Sequence, residues 1–148
     1  MKTKCLAIGI ILLFVGTCII PVTAQDTEKP LPASLGTWLY VGGSGPGNYT
    51  RIQDAIDNAS DGDTVFVFSG LYNEGEIHIQ KAIHVIGEDR NTTIVNGWGH
   101  IFYVFNDVQI CNFSIRAQYG NDDCIYIVGN NNVISDNIIF TNTFSGIF

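Results

Sequence analysis

Basic residues are scarce in this sequence. Of its 148 residues only 7 are Lys or Arg, whereas 14 are Asp or Glu, and the formal net charge is −7. A chain with this charge repels the phosphate backbone of DNA or RNA, so we expect no nucleic-acid partner. The length suits one domain and is short for two.

Long hydrophobic runs are also rare, and the longest one covers residues 5–20. Two lysines precede it, and the small residues Val22 and Ala24 follow it at the positions that suit cleavage before Gln25. The run is shorter than the roughly 20 residues that cross a bilayer. We therefore interpret residues 1–24 as a signal peptide and expect a secreted or cell-surface protein with no membrane span in the mature chain. Cleavage would leave five basic against fourteen acidic residues, a formal charge of −9.

Cysteines are too few for a disulfide framework. Two of the four lie in the N-terminal segment, which leaves Cys111 and Cys124 in the mature chain. A bridge between these two is chemically allowed in an oxidising compartment if their Cα atoms lie within about 7 Å. The alternative is a pair of small, half-buried thiols.

Helical periodicity is confined to one short segment. Residues 25–37 are polar and contain two prolines, so we interpret them as a linker that leads into a folded domain over residues 38–148. Thr50 and Gln53 have the spacing of a capping box, and the apolar residues that follow share one face. The pattern predicts a short helix near residues 50–59.

Beyond this helix, apolar and polar residues alternate in short runs that turns rich in Gly, Asn and Asp separate. Apolar positions recur after 22 to 25 residues, a spacing in the range of stacked repeats. The recurring pairs are Ile83 with Val108, Ile110 with Ile134, and Ile125 with Ile147.

Short strands at this spacing fit either an antiparallel sandwich or a coil of parallel strands. Asparagine clusters such as residues 130–132 favour the coil, because Asn tolerates left-handed backbone and can stack its amide on an identical one a rung away. The sequence therefore predicts an all-β fold, a right-handed parallel β-helix (solenoid) with a short capping α-helix at its N-terminal end.

Specific motifs support the same fold. They are Tyr49–Ile56 (YTRIQDAI), Gly62–Val65 (GDTV), Gly70-Leu71-Tyr72 with Glu76, Ile86-Gly87, and Asn132–Ile139 (NVISDNII). With these motifs the chain resembles right-handed β-helix proteins of the pectin-lyase-like superfamily, especially extracellular archaeal and bacterial proteins with NosD-type or carbohydrate-binding and sugar-hydrolase repeats. The resemblance implies an N-terminal portion of such a protein, in which the helix covers the first rung.

The resemblance implies a fold more strongly than an activity, because this superfamily includes lyases, hydrolases, esterases and inert repeats. The GQDTL and VDFIFG motifs that carry the catalytic aspartates of pectin methylesterases do not occur in the sequence. We identify no catalytic residues and interpret the protein as a non-catalytic adhesive or carbohydrate-contacting scaffold. Two alternatives stay open: a polysaccharide-active enzyme of the pectin lyase, esterase or glycoside hydrolase kind, with catalytic rungs beyond Phe148, and a NosD-like periplasmic metal-handling accessory protein.

An aromatic cluster offers a surface for sugar. Trp98, His100, Phe102 and Tyr103 are close in sequence, and flat rings on an outward β-helix face stack on sugars. We therefore predict contact with an extracellular polysaccharide or cell-surface glycan through Trp98, His100 and Tyr103. In the alternative interpretation, alternate rings fill the interior of the coil.

Acidic residues raise the question of a metal. Asp107, Asp122, Asp123 and Asp136 lie roughly one rung apart and could converge as a calcium site or as a carboxylate pair for glycoside chemistry, the alternative being solvated loop acids. No other cofactor is expected.

Two histidines offer a second, weaker metal hypothesis. His78 and His84 both point outward if the flanking Ile and Val residues point inward, so a metal pair is conceivable. A pair without a third ligand makes a weak site.

Four glycosylation sequons begin at Asn48, Asn58, Asn91 and Asn112, and their use depends on the host. At the other end, residues 146–148 resemble the first strand of another rung. Because an uncapped rung exposes strand edges, we expect further rungs or another chain to cover that end.

Overall fold

The fold was analysed in a computed structural model that describes residues 36–118, 123–141 and 147. The predicted signal peptide and all but the last two residues of the predicted linker lie outside the described residues. Within these ranges the chain forms a helix, α1 (Ile52–Asn58), and short strands. The strands are β1 (Trp38–Val41), β2 (Thr64–Val67), β3 (Gly70–Asn73), β4 (Ile77–Ile79), β5 (His84–Gly87), β6 (Thr93–Gly97), β7 (Phe102–Val104), β8 (Gln109–Cys111), β9 (Ser114–Ala117), β10 (Ile125–Ile127), β11 (Val133–Ser135) and β12 (Ile138–Phe140).

The strands wind into a coil with three sheets along its length. Sheet A has the order β1-β2-β5-β8-β11, sheet B the order β3-β6-β9-β12, and sheet C the order β4-β7-β10. Three turns of the coil, β2-β3-β4, β5-β6-β7 and β8-β9-β10, each contribute one strand to each sheet. All pairings between the described strands are parallel. The predicted parallel β-helix with one short helix is confirmed, and the sandwich alternative is excluded.

The repeat predicted from the sequence coincides with the register of the coil. Ile110 pairs with Ile134 in sheet A, and Ile125 forms a parallel bridge with Ile147 beside sheet C. The amide of Gln109 donates to the carbonyl of Ile83, which places Val108 a rung above Ile83. Apolar residues recur at this spacing because each one stacks on its counterpart in the next turn.

The interior of the coil is a continuous stack of aliphatic and aromatic side chains. In β4, Ile77 and Ile79 are buried and His78 between them is exposed, and β5 and β7 alternate between more and less buried residues in the same way. Burying one such side chain contributes about 1.5–3 kcal/mol. The largest fully buried residues are Phe102, Phe113, Ile52, Ile56, Ile77, Ile79, Ile83, Ile101, Ile110, Ile115 and Ile125.

Helix α1 packs Ile52, Ala55 and Ile56 against the first rung. The predicted capping box is wrong. The N-cap residue is Arg51, which makes no side-chain capping bond. The side-chain amide of Gln53 donates to the Asp57 carboxylate and to the backbone carbonyl of His78. Gln53 is therefore used to join the helix to β4.

Side chains from the first turn of the coil satisfy both ends of α1. At its start, the Glu74 carboxylate accepts hydrogen bonds from the amides of Ile52 (2.8 Å) and Gln53 (3.2 Å). At its end, Lys81 Nζ donates to the carbonyls of the last turn at 3.0, 2.8 and 2.6 Å. A negative charge therefore lies at the N-terminal end of α1 and a positive charge at its C-terminal end, which is the arrangement that the helix dipole favours.

Asparagines join neighbouring rungs, as the sequence predicted, but mostly through the backbone. Only the pair Asn73 and Asn96 shows one amide bonded to an identical one among the described side-chain contacts, at 3.0 Å. Asn132 and Asn137 instead accept from amides of the preceding rung and donate to its carbonyls. Asn131 takes the left-handed backbone that the sequence analysis expected, with φ of 60°.

Cys111 and Cys124 do not form the disulfide that the sequence allowed. Both are free and buried thiols. Cys111 ends β8 in sheet A, whereas Cys124 precedes β10 in sheet C, so they occupy different sides of the coil. Burial raises the pKa of both thiols, and for Cys111 the nearby Asp136 carboxylate adds to this rise.

The described helix is too short to cross a membrane.

Candidate functional site

An aromatic surface covers the outer side of sheet C. His78, Tyr103 and Tyr126 are the middle residues of β4, β7 and β10, and they lie in register on three successive rungs. The rings of His78 and Tyr103 are stacked, with centroids 4.6 Å apart and planes 7° from parallel. Tyr126 meets Tyr103 edge to face at 5.8 Å.

His100 completes this cluster from the turn before β7. Its ring lies 5.0 Å from the ring of Tyr103 and 4.9 Å from that of Tyr126, and its Nδ1 lies 3.0 Å from the carbonyl oxygen of Asp123. We refer to these four residues as the sheet C ring surface: His78, His100, Tyr103 and Tyr126. It combines flat apolar faces with imidazole nitrogens and phenol hydroxyls, which suits a ligand that has both apolar and hydroxyl surface.

The predicted sugar-contact residues divide between two places. His100 and Tyr103 lie together in the sheet C ring surface, whereas Trp98 lies apart from them. Phe102, which was not among the predicted contacts, is fully buried in the coil, as the alternative interpretation expected for alternate rings. Tyr126 was missed, although it stands between Ile125 and Ile127 as Tyr103 stands between Phe102 and Val104. The repeated alternation was the signal that could have found it.

Trp98 lies at the corner between sheets B and C, beside a groove of 510 Å³. Its ring is 70% exposed, and its Nε1 lies 3.4 Å from Gln118 Oε1. We refer to this as the Trp98 groove. Its lining residues are Asn73, Glu74, Gly75, Glu76, Asn96, Gly97, Trp98 and Gln118.

Two of the residues that line this groove are glycines. A Cβ on Gly97 would lie 2.5 Å from the Glu74 carbonyl oxygen, and one on Gly75 would lie 3.1 Å from the Trp98 carbonyl oxygen. The two turns therefore pack backbone on backbone.

A second aromatic group, not anticipated from the sequence, lies on the outer side of sheet A. The rings of Trp38, Tyr40, Phe66 and Phe68 contact one another at centroid distances between 5.3 and 6.4 Å. They tilt against one another and share no plane, apart from the stacked pair Tyr40 and Phe68. Two of these four rings are phenylalanines, so the group offers fewer polar edges than the sheet C ring surface does.

The aspartates predicted to converge lie apart. Asp107 lies two residues before β8 and Asp136 directly follows β11, so they stand at opposite ends of two neighbouring parallel strands. Asp123 belongs to the approach to sheet C, and Asp122 lies outside the described residues. Asp107 and Asp136 have φ of 58° and 55°, so they serve as left-handed turn residues. The described part of the chain brings no three metal-ligating side chains together.

The two histidines considered as a metal pair lie on different faces. Both are exposed, as expected, but His78 belongs to β4 in sheet C and His84 to β5 in sheet A. A period of two separates inward from outward residues and cannot show which sheet each outward residue occupies. The hypothesis of a His78 and His84 metal pair is therefore wrong.

The sequon asparagines differ in exposure. Asn58 and Asn91 are exposed, whereas Asn48 and Asn112 are half-buried. The Asn48 amide donates to the carbonyl of Gly42 at 2.6 Å, and Asn112 is a left-handed turn residue with φ of 64°. Exposure favours Asn58 and Asn91 as acceptors, and glycosylation at the four sites stays a prediction.

Comparison with solved structures identifies two neighbours. The structure of a pectin methylesterase in complex with a hexasaccharide superposes with a TM-score of 0.64 at 17% identity, over 74% of this chain and 45% of that one. Pectin methylesterase PemA from Erwinia chrysanthemi gives a TM-score of 0.64 at 14% identity, over 78% of this chain and 46% of that one. The chain spans less than half the length of these neighbours.

No family profile matches the chain, and no curated protein does. At the identities found, the structural likeness concerns the fold alone. The chain therefore shares the β-helix fold of pectin methylesterases.

Proposed function

We propose that the protein is an exported glycan-binding β-helix that contacts sugar through the sheet C ring surface. The observation that carries the proposal is the register of His78, Tyr103 and Tyr126 on three successive rungs. A pyranose has an apolar C–H face and a rim of hydroxyl groups. Aromatic rings with polar edges complement both parts, and rungs about 4.8 Å apart present several such rings to one oligosaccharide.

Binding fits this surface better than hydrolysis. Glycoside hydrolysis commonly uses two carboxylates about 5–9.5 Å apart. The outward middle positions of the described sheet C strands carry His78, Tyr103 and Tyr126, none of which is a carboxylate. One structural neighbour is a complex with a hexasaccharide, which supports carbohydrate as the class of ligand.

Isothermal titration calorimetry with cellohexaose, chitohexaose and hexagalacturonate tests the proposal. Tyr103→Ala and Tyr126→Ala should each weaken binding about two- to tenfold, the equivalent of about 0.5–1.5 kcal/mol for one ring contact. Tyr40→Ala is the matched control, because Tyr40 is an exposed tyrosine on sheet A. The proposal would be contradicted if none of the three hexasaccharides bound, or if Tyr40→Ala weakened binding as much as the sheet C variants do.

A second candidate function is that of a pectin-active enzyme. It is favoured by the likeness to two pectin methylesterases of which this chain spans less than half. In that case the described rungs would hold the substrate, and the catalytic acids would belong to rungs beyond Phe148. Release of methanol from methyl-esterified pectin by the protein purified from its source would support this candidate, and a glycan bound without turnover would oppose it.

The metal-handling hypothesis gains no support from the described residues, in which no group of three metal-ligating side chains meets. Copper or calcium retained after dialysis would revive it.

A further inference from the structure

We infer that the Trp98 groove receives an uncharged sugar unit and makes the protein select neutral glycans over polyuronic acids. The inference rests on the proposed glycan binding and adds a ligand class to it. It follows from the three kinds of group that line the groove: an exposed indole, side-chain amides and carboxylates.

The indole supplies a stacking platform. Trp98 is the most exposed of the large hydrophobic residues in the described chain, at 70%. Its Nε1 points to Gln118 Oε1 at 3.4 Å, so the ring is oriented by a neighbour on the groove wall. An exposed tryptophan of this kind gains by covering its face with an apolar surface, such as the C–H face of a pyranose.

The amides supply hydroxyl recognition. Asn73 and Asn96 lie in register on adjacent rungs, and the Asn96 amide donates to the Asn73 oxygen at 3.0 Å. This bond fixes both side chains and leaves each with unused donor or acceptor capacity. Together with Gln118 they offer neutral donors and acceptors, which match sugar hydroxyl and acetamido groups.

The charges of the groove oppose an acidic ligand. The charged residues among its described lining are Glu74 and Glu76, and the Glu74 carboxylate is buried under the start of α1. Glu76 is exposed and lines the groove, so its charge is available to a ligand there. Two basic side chains lie near the described groove residues, and both are engaged: Arg51 Nε lies 4.0 Å from the Glu74 carboxylate. Arg116 pairs with Asn96 in register and places its guanidinium over the Phe140 ring, 5.2 Å from the centroid.

A uronic acid in the groove would therefore meet the Glu76 carboxylate, for which the described residues show no ion-pair partner. Two like charges about 4 Å apart near a protein surface repel by an amount that corresponds to at least tenfold in affinity. A neutral hexose or N-acetylhexosamine avoids this repulsion and can still use Trp98 and the amides.

Competition calorimetry with the full chain tests the inference, with cellohexaose, mannohexaose and chitohexaose as neutral probes and hexagalacturonate as the acidic probe. We expect at least one neutral probe to bind about tenfold more tightly than hexagalacturonate in low salt, and the ratio to shrink as salt screens the repulsion. Glu76→Gln should narrow the ratio severalfold. Glu88→Gln removes the same charge away from the groove and should leave the ratio close to that of the unmodified protein.

A second pair of variants tests the stacking. Trp98→Ala should weaken binding of the neutral probe about tenfold or more, whereas Trp38→Ala, which removes an exposed tryptophan from sheet A, should not. Equal affinity for neutral and acidic probes, or binding unaffected by Trp98→Ala, would overturn the inference. If Tyr103→Ala still weakens binding in that case, glycan binding at sheet C stands without the groove, whereas no binding by any probe overturns both.

Discussion

The Glu74 carboxylate lies 2.8 Å from the backbone amide of Ile52, so a strand-end residue of the first turn caps the helix that covers it. Glu74 is almost fully buried, and Arg51 Nε approaches its second oxygen to 4.0 Å. A buried carboxylate is tolerated here because two amides of α1 and one guanidinium satisfy it. The helix and the first rung are therefore a single structural unit.

Removing this carboxylate should destabilise the fold. Glu74→Ala leaves the amides of Ile52 and Gln53 without their acceptor, and we expect a loss of about 1–3 kcal/mol in the free energy of unfolding. Glu76→Ala is the control, because Glu76 is exposed two residues away. Urea denaturation followed by circular dichroism measures both, and equal losses would show that the cap contributes nothing.

The other end of α1 gives an independent test. Lys81 Nζ donates to the carbonyls of Ile56, Asp57 and Ala59. Lys81→Met keeps much of the aliphatic stem and removes these bonds, so the free energy of unfolding should fall by about 1–2 kcal/mol. Arg90→Met removes a positive charge from an exposed turn and should change it by less than about 0.5 kcal/mol. An unchanged midpoint for Lys81→Met would contradict the described helix contacts.

Two adjacent residues on β7 separate stability from binding. Phe102 is fully buried and lies 6.1 Å from the Phe113 ring, so Phe102→Ala should cost about 3–5 kcal/mol. Tyr103 faces outward, and Tyr103→Ala should cost less than about 1.5 kcal/mol while it weakens glycan binding. Thermal unfolding and calorimetry on the two variants check this, and a larger stability loss for Tyr103→Ala would mean that the alternation is assigned to the wrong faces.

The thiols provide a test of burial and of pairing. Burial raises the pKa of Cys111 and Cys124, so less thiolate forms near pH 8.5 than in an exposed cysteine. Both should react slowly with iodoacetamide in the folded protein and rapidly in urea, as measured by peptide mass spectrometry. Because the folded-state pKa lies above the unfolded one, stability should also fall as the pH rises through and above the ordinary thiol range. A peptide that contains both cysteines joined before reduction would contradict the structure.

The fold could be predicted because it follows from local and periodic properties. Alternation of Ile77, His78 and Ile79 marks the inner face of a strand, and the recurrence of Ile110 at Ile134 marks the rung. What escaped prediction depends on turn lengths. The lengths of the turns place His78 and Tyr103 on sheet C and His84 on sheet A. For this reason His78 contacts Tyr103 and not His84.

The helix caps could not be predicted from the sequence for the same reason. The cap predicted from Thr50 and Gln53 is local, whereas the observed acceptor, Glu74, is 22 positions beyond the amide of Ile52 that it satisfies. A local motif cannot show that a residue one turn of the coil away accepts the hydrogen bonds of the helix amides. The structure brings His100 and Tyr103 of the predicted sugar-contact residues together and places Tyr126 beside them, whereas sugar contact itself stays a prediction.

The most direct test of the central claim is an NMR titration of the aromatic side-chain resonances with the hexasaccharide that binds most tightly. Glycan bound at sheet C should shift the ring signals of His78, His100, Tyr103 and Tyr126, and leave those of Trp38, Tyr40, Phe66 and Phe68 on sheet A unchanged. Shifts confined to the rings of sheet A, or spread equally over both groups, would contradict the account.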